Sequence, residues 1–215
     1  MSKSLPLSLI VPTFNEERNI PNLIKNIKLL NAKELIVVDG NSTDKTRHLL
    51  KESKIFRTKK SRGHQLHLGA LKSNQDWFFF MHADTLLNPK NIAEIRIFLK
   101  NKNKDKVAYF RLSFDKKSIF SDIISGWANL RTKLFKLPFG DQCFLISKSH
   151  YNRIGGYSEI PIMEDIDMIL KISKKNKYFF KSYVTTSFKK YSSNGALKQS
   201  LKNIYSQIRF LINAK

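Results

Sequence analysis

The stretch Trp77-Phe78-Phe79-Phe80-Met81-His82-Ala83-Asp84-Thr85 runs five residues without a charge and then stops at a single acid. A short, wholly apolar run bounded by polar residues reads as a strand buried on both faces, as in the middle of a parallel sheet. Asn88 and Pro89 follow as a cap and first helical residue, and Ile92, Ile95, Ile97 and Leu99 mark the helix they begin. Asp84 therefore falls just past the carboxyl end of a central strand, where open α/β sheets bind ligands. From position alone it either binds something there or merely begins a turn.

The flanking chain repeats the pattern. Strands are expected at Leu7–Val11, Leu35–Val38 and Ile55–Arg57. Helices are expected from Asn19 through Leu30, from the cap at 41–44 through Leu50, and from Arg62-Gly63 through Leu71. This β-α-β-α rhythm, repeating at roughly 25–30 residues, predicts an α/β fold with a mostly parallel central sheet and helices on both faces. Beyond Asn101 the alternation loosens. Strands are expected at Val107–Phe114, Cys143–Ile146 and Tyr178–Val184, with helices over Ile119–Phe135 and from Met163 onward. An amphipathic C-terminal helix over about 196–213 carries Leu197, Leu201, Ile204, Tyr205, Ile208 and Leu211, with Lys198, Lys202 and Arg209 beside its polar side. With no repeat and no linker, one domain over 1–215 is expected, divided near residue 100 and again near 190.

Composition bounds the function. Hydrophobic residues make up 41% of 215, which suits a globular enzyme and excludes wholesale disorder. The one cysteine, Cys143, excludes an internal disulfide and a multi-cysteine zinc site, and reads as a small buried hydrophobe. No 18-residue apolar run and no signal-peptide pattern occurs, so cytoplasmic residence is expected. The net charge of +22 suits either Lys-rich drift over solvated faces or a polyanionic surface. Specific nucleic-acid binding ranks last, because neither aromatic RNA-reading strands nor a reading helix is recognisable. The C-terminal helix leaves three uses open: peripheral contact with an anionic inner membrane face, a homodimer, or packing on its own domain.

Three acids sit at comparable places. Asp39 ends the second strand, Asp84 follows the fourth, and Asp165 lies at a helix start. In parallel strands Asp39 and Asp84 emerge on one edge, where carboxylates bind divalent cations or accept from ribose hydroxyls and base imides.

Pro12-Thr13-Phe14-Asn15-Glu16, Val38-Asp39-Gly40-Asn41-Ser42-Thr43-Asp44, His82-Ala83-Asp84 and Glu164-Asp165 resemble, in order, the signatures of family 2 glycosyltransferases of the GT-A fold. The stretches Gly63-His64-Gln65-Leu66, Gly140-Asp141-Gln142, Gly155-Gly156-Tyr157 and Pro161-Ile162-Met163-Glu164-Asp165 are similar to a small bacterial subgroup labelled arsenosugar-biosynthesis glycosyltransferases. The resemblance implies a nucleotide-sugar donor, UDP-linked by preference, held by Pro12, Thr13, Phe14, Glu16, Asp39 and Arg62. It implies a divalent cation, Mn2+ or Mg2+, at Asp84, with His82 standing where the family's metal motif has its first acid. It implies Asp165 as the base of an inverting transfer to a small-molecule or lipid hydroxyl, with Asp141, Gln142 and Glu164 on the acceptor side. A binder that has lost turnover is the alternative.

Overall fold

A computed structural model describes residues 3–51, 53–101, 104–189 and 209–210. Most of the expected C-terminal helix lies outside the described residues.

The chain runs β1 (Leu5–Thr13), α1 (Ile20–Leu30), β2 (Ala32–Asp39), α2 (Thr46–Leu49), β3 (Lys54–Arg57), α3 (Arg62–Leu71), β4 (Trp77–Phe80) and α4 (Pro89–Lys100). It continues with β5 (Val107–Phe114), α5 (Ile119–Phe135), β6 (Phe144–Ser147), α6 (Lys148–Arg153), α7 (Glu164–Leu170) and β7 (Lys177–Thr186). The strands form one sheet in the order β3-β2-β1-β4-β6-β5-β7. Pairing is parallel except around β6, which runs against both β4 and β5.

Alternation within β4 builds two cores. Phe79 faces the layer of α1 and α4 with Leu9, Leu23 and Ile95. Phe78 and Phe80 face the opposite layer, with Leu66 and Ala70 of α3 and Met168 and Ile169 of α7. Burying each such ring contributes about 1.5–3 kcal/mol. That two-sided burial is why the run is apolar without interruption. The α3 layer sits close because residue 69 is glycine; a Cβ there would lie 2.4 Å from Ile10 Cγ2.

Helix ends follow the expectation in part. Asn88 caps α4, its side chain accepting from the Lys90 and Asn91 amides while Asn91 accepts from the Asn88 amide. Asn19 departs from it. Its side chain donates to Glu16 at 2.6 Å instead of capping α1, because Glu16 offers a charged acceptor three residues back. The strand expected at Cys143 begins one residue later, since Cys143 has φ 55°, outside strand geometry. Burial pushes its thiol up, in keeping with a small hydrophobe. Among the described residues no helix is long and apolar enough to cross a membrane.

Register places the site. Thr13 pairs with Asp39, Asp39 with Arg57, and Ile10 with Phe80, so the carboxyl ends of β1 to β4 share one edge. Phe144, at the start of reversed β6, lies opposite Phe80. The reversal brings 140–142 to the same edge as 82–84.

Candidate active site

A cleft of about 380 Å³ opens along this edge. Its floor is Pro12, Thr13 and Phe14 from the end of β1, with Glu16 beyond them. One wall is Lys60, Ser61, Arg62 and Gln65, from the loop before α3 and its first turn. His82, Ala83 and Asp84 follow β4, and Asp141, Pro161, Ile162 and Glu164 close the far side. The size and the convergent polar groups suit a small-molecule site.

Acids dominate the chemistry. Burial raises the Glu16 carboxyl above its usual value, and the nearby Asp84 charge adds to the rise against the lowering pull of Asn19. Burial likewise raises Asp84, partly offset by His82 and reinforced by Asp141. Burial alone would depress the His82 imidazole, yet its bond with Asp141 (Nδ1 to Oδ1, 3.3 Å) leaves it above its usual value. Burial also works against the Arg62 guanidinium, but Glu164 and then Asp165 keep it charged. Arg62 Nε donates to the buried Glu164 carboxylate, joining the first turn of α3 to that of α7.

These residues fit a divalent cation of the hard, oxygen-liking kind. Glu16 and Asp84 are two partly dehydrated carboxylates that repel each other across one cleft, which is the donor chemistry such an ion relieves. Among the described residues no cluster of three or more His, Cys, Asp or Glu side chains forms a ready-made cage. The protein would supply one or two ligands, chiefly Asp84, and the remainder would come from water and a bound diphosphate.

Pro12, Thr13, Phe14, Glu16, Arg62, Asp84, Asp141 and Glu164 all line the cleft. Asp39, Gln142 and Asp165, also expected at the site, do not line it. Asp39 is fully buried and turned inward, accepting from Ser42 Oγ (2.5 Å), Ser42 N (2.9 Å) and Thr13 Oγ1 (3.1 Å). It ties the β1 and β2 ends together, and its carboxylate does not line the cleft. Gln142 is also buried: its amide donates to Phe110 O, and its carbonyl accepts from Thr132 Oγ1 and Phe139 N. It shapes the 140–142 turn from behind. Glu164, expected on the acceptor side, is committed to Arg62.

Asp165 stands just behind the cleft, in the first turn of α7. Its Oδ2 accepts from Gly140 N at 3.0 Å and its Oδ1 from Ile166 N at 2.9 Å. A Cβ on residue 140 would lie 3.0 Å from His82 Nε2 and 3.5 Å from Asp165 Oδ2, so glycine lets the turn pass between the two side chains. Met163, at φ 64°, turns the chain sharply into α7.

Sequence reasoning gave no role to Gln65, whose buried amide donates to Thr13 O at 2.9 Å and Val38 O at 2.8 Å. It stitches the ends of β1 and β2 from below. Its sequence signals were a polar residue on the inward face of a helix and its place in Gly63-His64-Gln65-Leu66. Lys60 places its Nζ 3.9 Å from the Phe14 ring centroid, over one face of that aromatic.

A cleft at the carboxyl edge of a largely parallel sheet is where open α/β proteins bind their ligands. Residues 8–153 match the family described as glycosyl transferase family 2, and the chain belongs to that family. It is 30% identical over 99 residues to the 4,4'-diaponeurosporenoate glycosyltransferase of Staphylococcus haemolyticus, covering 41% of this chain and 26% of that protein. S. aureus TarS 1-349 in complex with UDP superposes with TM-score 0.66 at 16% identity, covering 85% of this chain and 60% of that one. The mannosyltransferase PcManGT from Pyrobaculum calidifontis, in complex with GDP-Man and Mn2+, superposes with TM-score 0.63 at 16% identity, covering 86% and 57%. The chain thus spans about a quarter of that curated relative and under two thirds of either structural neighbour. The fold is GT-A, as the resemblance implied.

Proposed function

We propose that this chain is an inverting, metal-assisted glycosyltransferase that moves a sugar from a nucleotide-sugar donor, by preference a UDP-sugar, to a hydroxyl acceptor. The observation that carries the reading is the meeting of Glu16, His82, Asp84 and Asp141 with Phe14, Lys60 and Arg62 in one cleft. UDP in one neighbour and GDP-Man with Mn2+ in another support the donor class and the cation.

In this reading the β1 end and Phe14 hold the nucleoside, and Lys60 and Arg62 set a positive field toward its phosphates. Asp84 would hold the divalent cation, with His82 beside it. When bound, the cation neutralises charge on the departing nucleoside diphosphate. The acceptor oxygen forms a bond to the anomeric carbon as the bond to the diphosphate oxygen breaks. The acceptor proton passes to Asp165, which the Gly140 amide orients. No protein nucleophile intervenes, so the anomeric configuration inverts.

Thermal shift across UDP-, GDP- and dTDP-sugars with Mn2+, followed by assay of nucleoside diphosphate release, tests the reading. A cognate donor at a hundredfold excess over Kd stabilises by about 2.7 kcal/mol. Stabilisation without release on any acceptor would favour the binder without turnover. Stabilisation by none of the donors would remove both readings.

A further inference from the structure

The helix α5 is inside out. Ser121, Ala128 and Thr132 are its buried residues, and Asn129 fastens it to β5 by accepting from Leu112 N (2.8 Å) and donating to Leu112 O (2.9 Å). Its large apolar side chains face the other way. At 3.6 residues per turn, Ile119, Phe120, Ile123, Trp127, Leu130 and Leu134 fall within about 100° of arc with no polar residue among them. Each is between 46% and 77% exposed. Single exposed apolar residues are ordinary, but an unbroken stripe along a 17-residue helix marks an interaction surface.

The rim of the stripe selects its occupant. Lys116 and Lys117 stand exposed before the helix, and Lys133 stands exposed in its last turn. Asp115 and Asp122 are the only acids on this length, in a chain of net charge +22. An apolar face bearing Trp and Phe, edged by lysines, has the chemistry of a helix that lies in the plane of an anionic bilayer. We propose that the outer face of α5 docks on an anionic lipid surface, sinking these six side chains to headgroup depth. This inference does not depend on the proposed donor chemistry. Its consequence for the cleft is geometric: Arg131 of α5 covers Phe139 at 3.4 Å, and Thr132 donates to Gln142, so a docked α5 holds the 140–142 turn near the lipid surface.

Co-sedimentation of the full chain with phosphatidylcholine vesicles, with and without 30% phosphatidylglycerol, tests the proposal, together with tryptophan emission. The chain has two tryptophans, and Trp77 is buried, so a change in emission reports Trp127. Binding to the anionic vesicles with a blue shift is expected. Ile123→Glu with Leu130→Glu should weaken binding at least tenfold with no loss of thermal midpoint, and Lys116→Glu with Lys117→Glu should weaken it more at low salt than at high salt. Absence of sedimentation, or equal binding to neutral vesicles, would overturn the proposal. So would a dimer that the double glutamate variant disperses, since a second copy would then cover the stripe. A monomer whose Trp127 is already blue-shifted in solution, and whose midpoint the glutamates lower, would show the chain covering its own helix.

Discussion

Arg62 and Glu164, 102 positions apart in sequence, form an ion pair that fastens the first turn of α3 to the first turn of α7. The two partners are unequal: the Arg62 side chain is 47% exposed, while that of Glu164 is 2% exposed. Losing the arginine strands a buried carboxylate, whereas losing the carboxylate charge leaves an arginine able to turn to water. Arg62→Ala should therefore cost about 2–3 kcal/mol, after allowance for solvent screening of the exposed partner, and Glu164→Gln about 1 kcal/mol. Urea midpoints of the two variants check the order. Equal costs would mean that the pair contributes no more than a surface contact.

Asp84 has no packing task comparable to that of Asp39. Asp84→Ala should leave the stability within about 0.5 kcal/mol of wild type. It should also abolish the enhancement of nucleoside diphosphate binding by Mn2+. Calorimetric titration of UDP with and without Mn2+ measures this, and an unchanged enhancement would remove Asp84 as the cation's holder.

Asp39 should behave in the opposite way. Its carboxylate accepts three hydrogen bonds in a fully buried setting. Asp39→Ala leaves the Ser42 and Thr13 donors unsatisfied and should cost about 2–4 kcal/mol, read from chemical unfolding. A variant of wild-type stability with weakened donor binding would return Asp39 to the nucleotide.

The contrast between these two acids shows what the sequence carries. Both follow apolar strands, and the parallel register puts both at one edge, as the β-α rhythm implied. Which of them faces the cleft depends on Ser42 and Thr13 closing around Asp39, contacts that strand periodicity does not encode. The strands themselves were legible because Ile36–Val38 and Phe78–Phe80 are buried on both sides and so admit no polar residue. The position of β6 between β4 and β5 was not legible, since the short apolar run Cys143–Ile146 carries no information about direction or partner. Periodicity likewise marked α5 as a helix without saying which side faces the core. A stripe at that spacing ordinarily faces inward; small residues and Asn129 hold α5 the other way.

Lys177 gives a pH dependence. It is 9% exposed, its Nζ donates to Lys136 O at 3.1 Å, and burial, aided by Lys174, lowers its pKa from 10.5 to about 8. A lysine with a depressed folded pKa costs stability while both states are charged. Between pH 8 and 10.5 the unfolded chain holds the extra proton, so stability rises with pH across that window. The interval converts to about 3 kcal/mol at most, from which the hydrogen bond to Lys136 subtracts about 1 kcal/mol. Lys177→Met should thus be more stable than wild type at pH 7, by about 1–2 kcal/mol, and lose that lead by pH 10. Paired urea melts at the two values measure it; a gap that does not move with pH would show the amine is solvated.

Asp165, as the proposed base, gives the test that separates a chain catalysing transfer from one that only binds the donor. Its two oxygens accept from Gly140 N and Ile166 N, so it is oriented from both sides, with His82 across the Gly140 turn. Asp165→Asn keeps the size and one acceptor oxygen and removes the ability to take a proton. Stability should fall by about 1 kcal/mol, the worth of one hydrogen bond. Donor affinity should hold, because the proposed donor contacts lie with Phe14, Lys60, Arg62 and Asp84. Transfer should fall by roughly 10²–10⁴, the range for a positioned general base. A residue that only braces the 140–142 turn predicts a different pattern: Asn would still hold Gly140, and rate and stability would decline together and slightly. The rate at saturating donor, with Asp141→Asn run beside it, separates the two. Asp141 lines the cleft and pairs with His82, which makes it the alternative proton acceptor. If Asp165→Asn turns over near the wild-type rate while Asp141→Asn does not, the base lies on the 140–142 turn and Asp165 is its support.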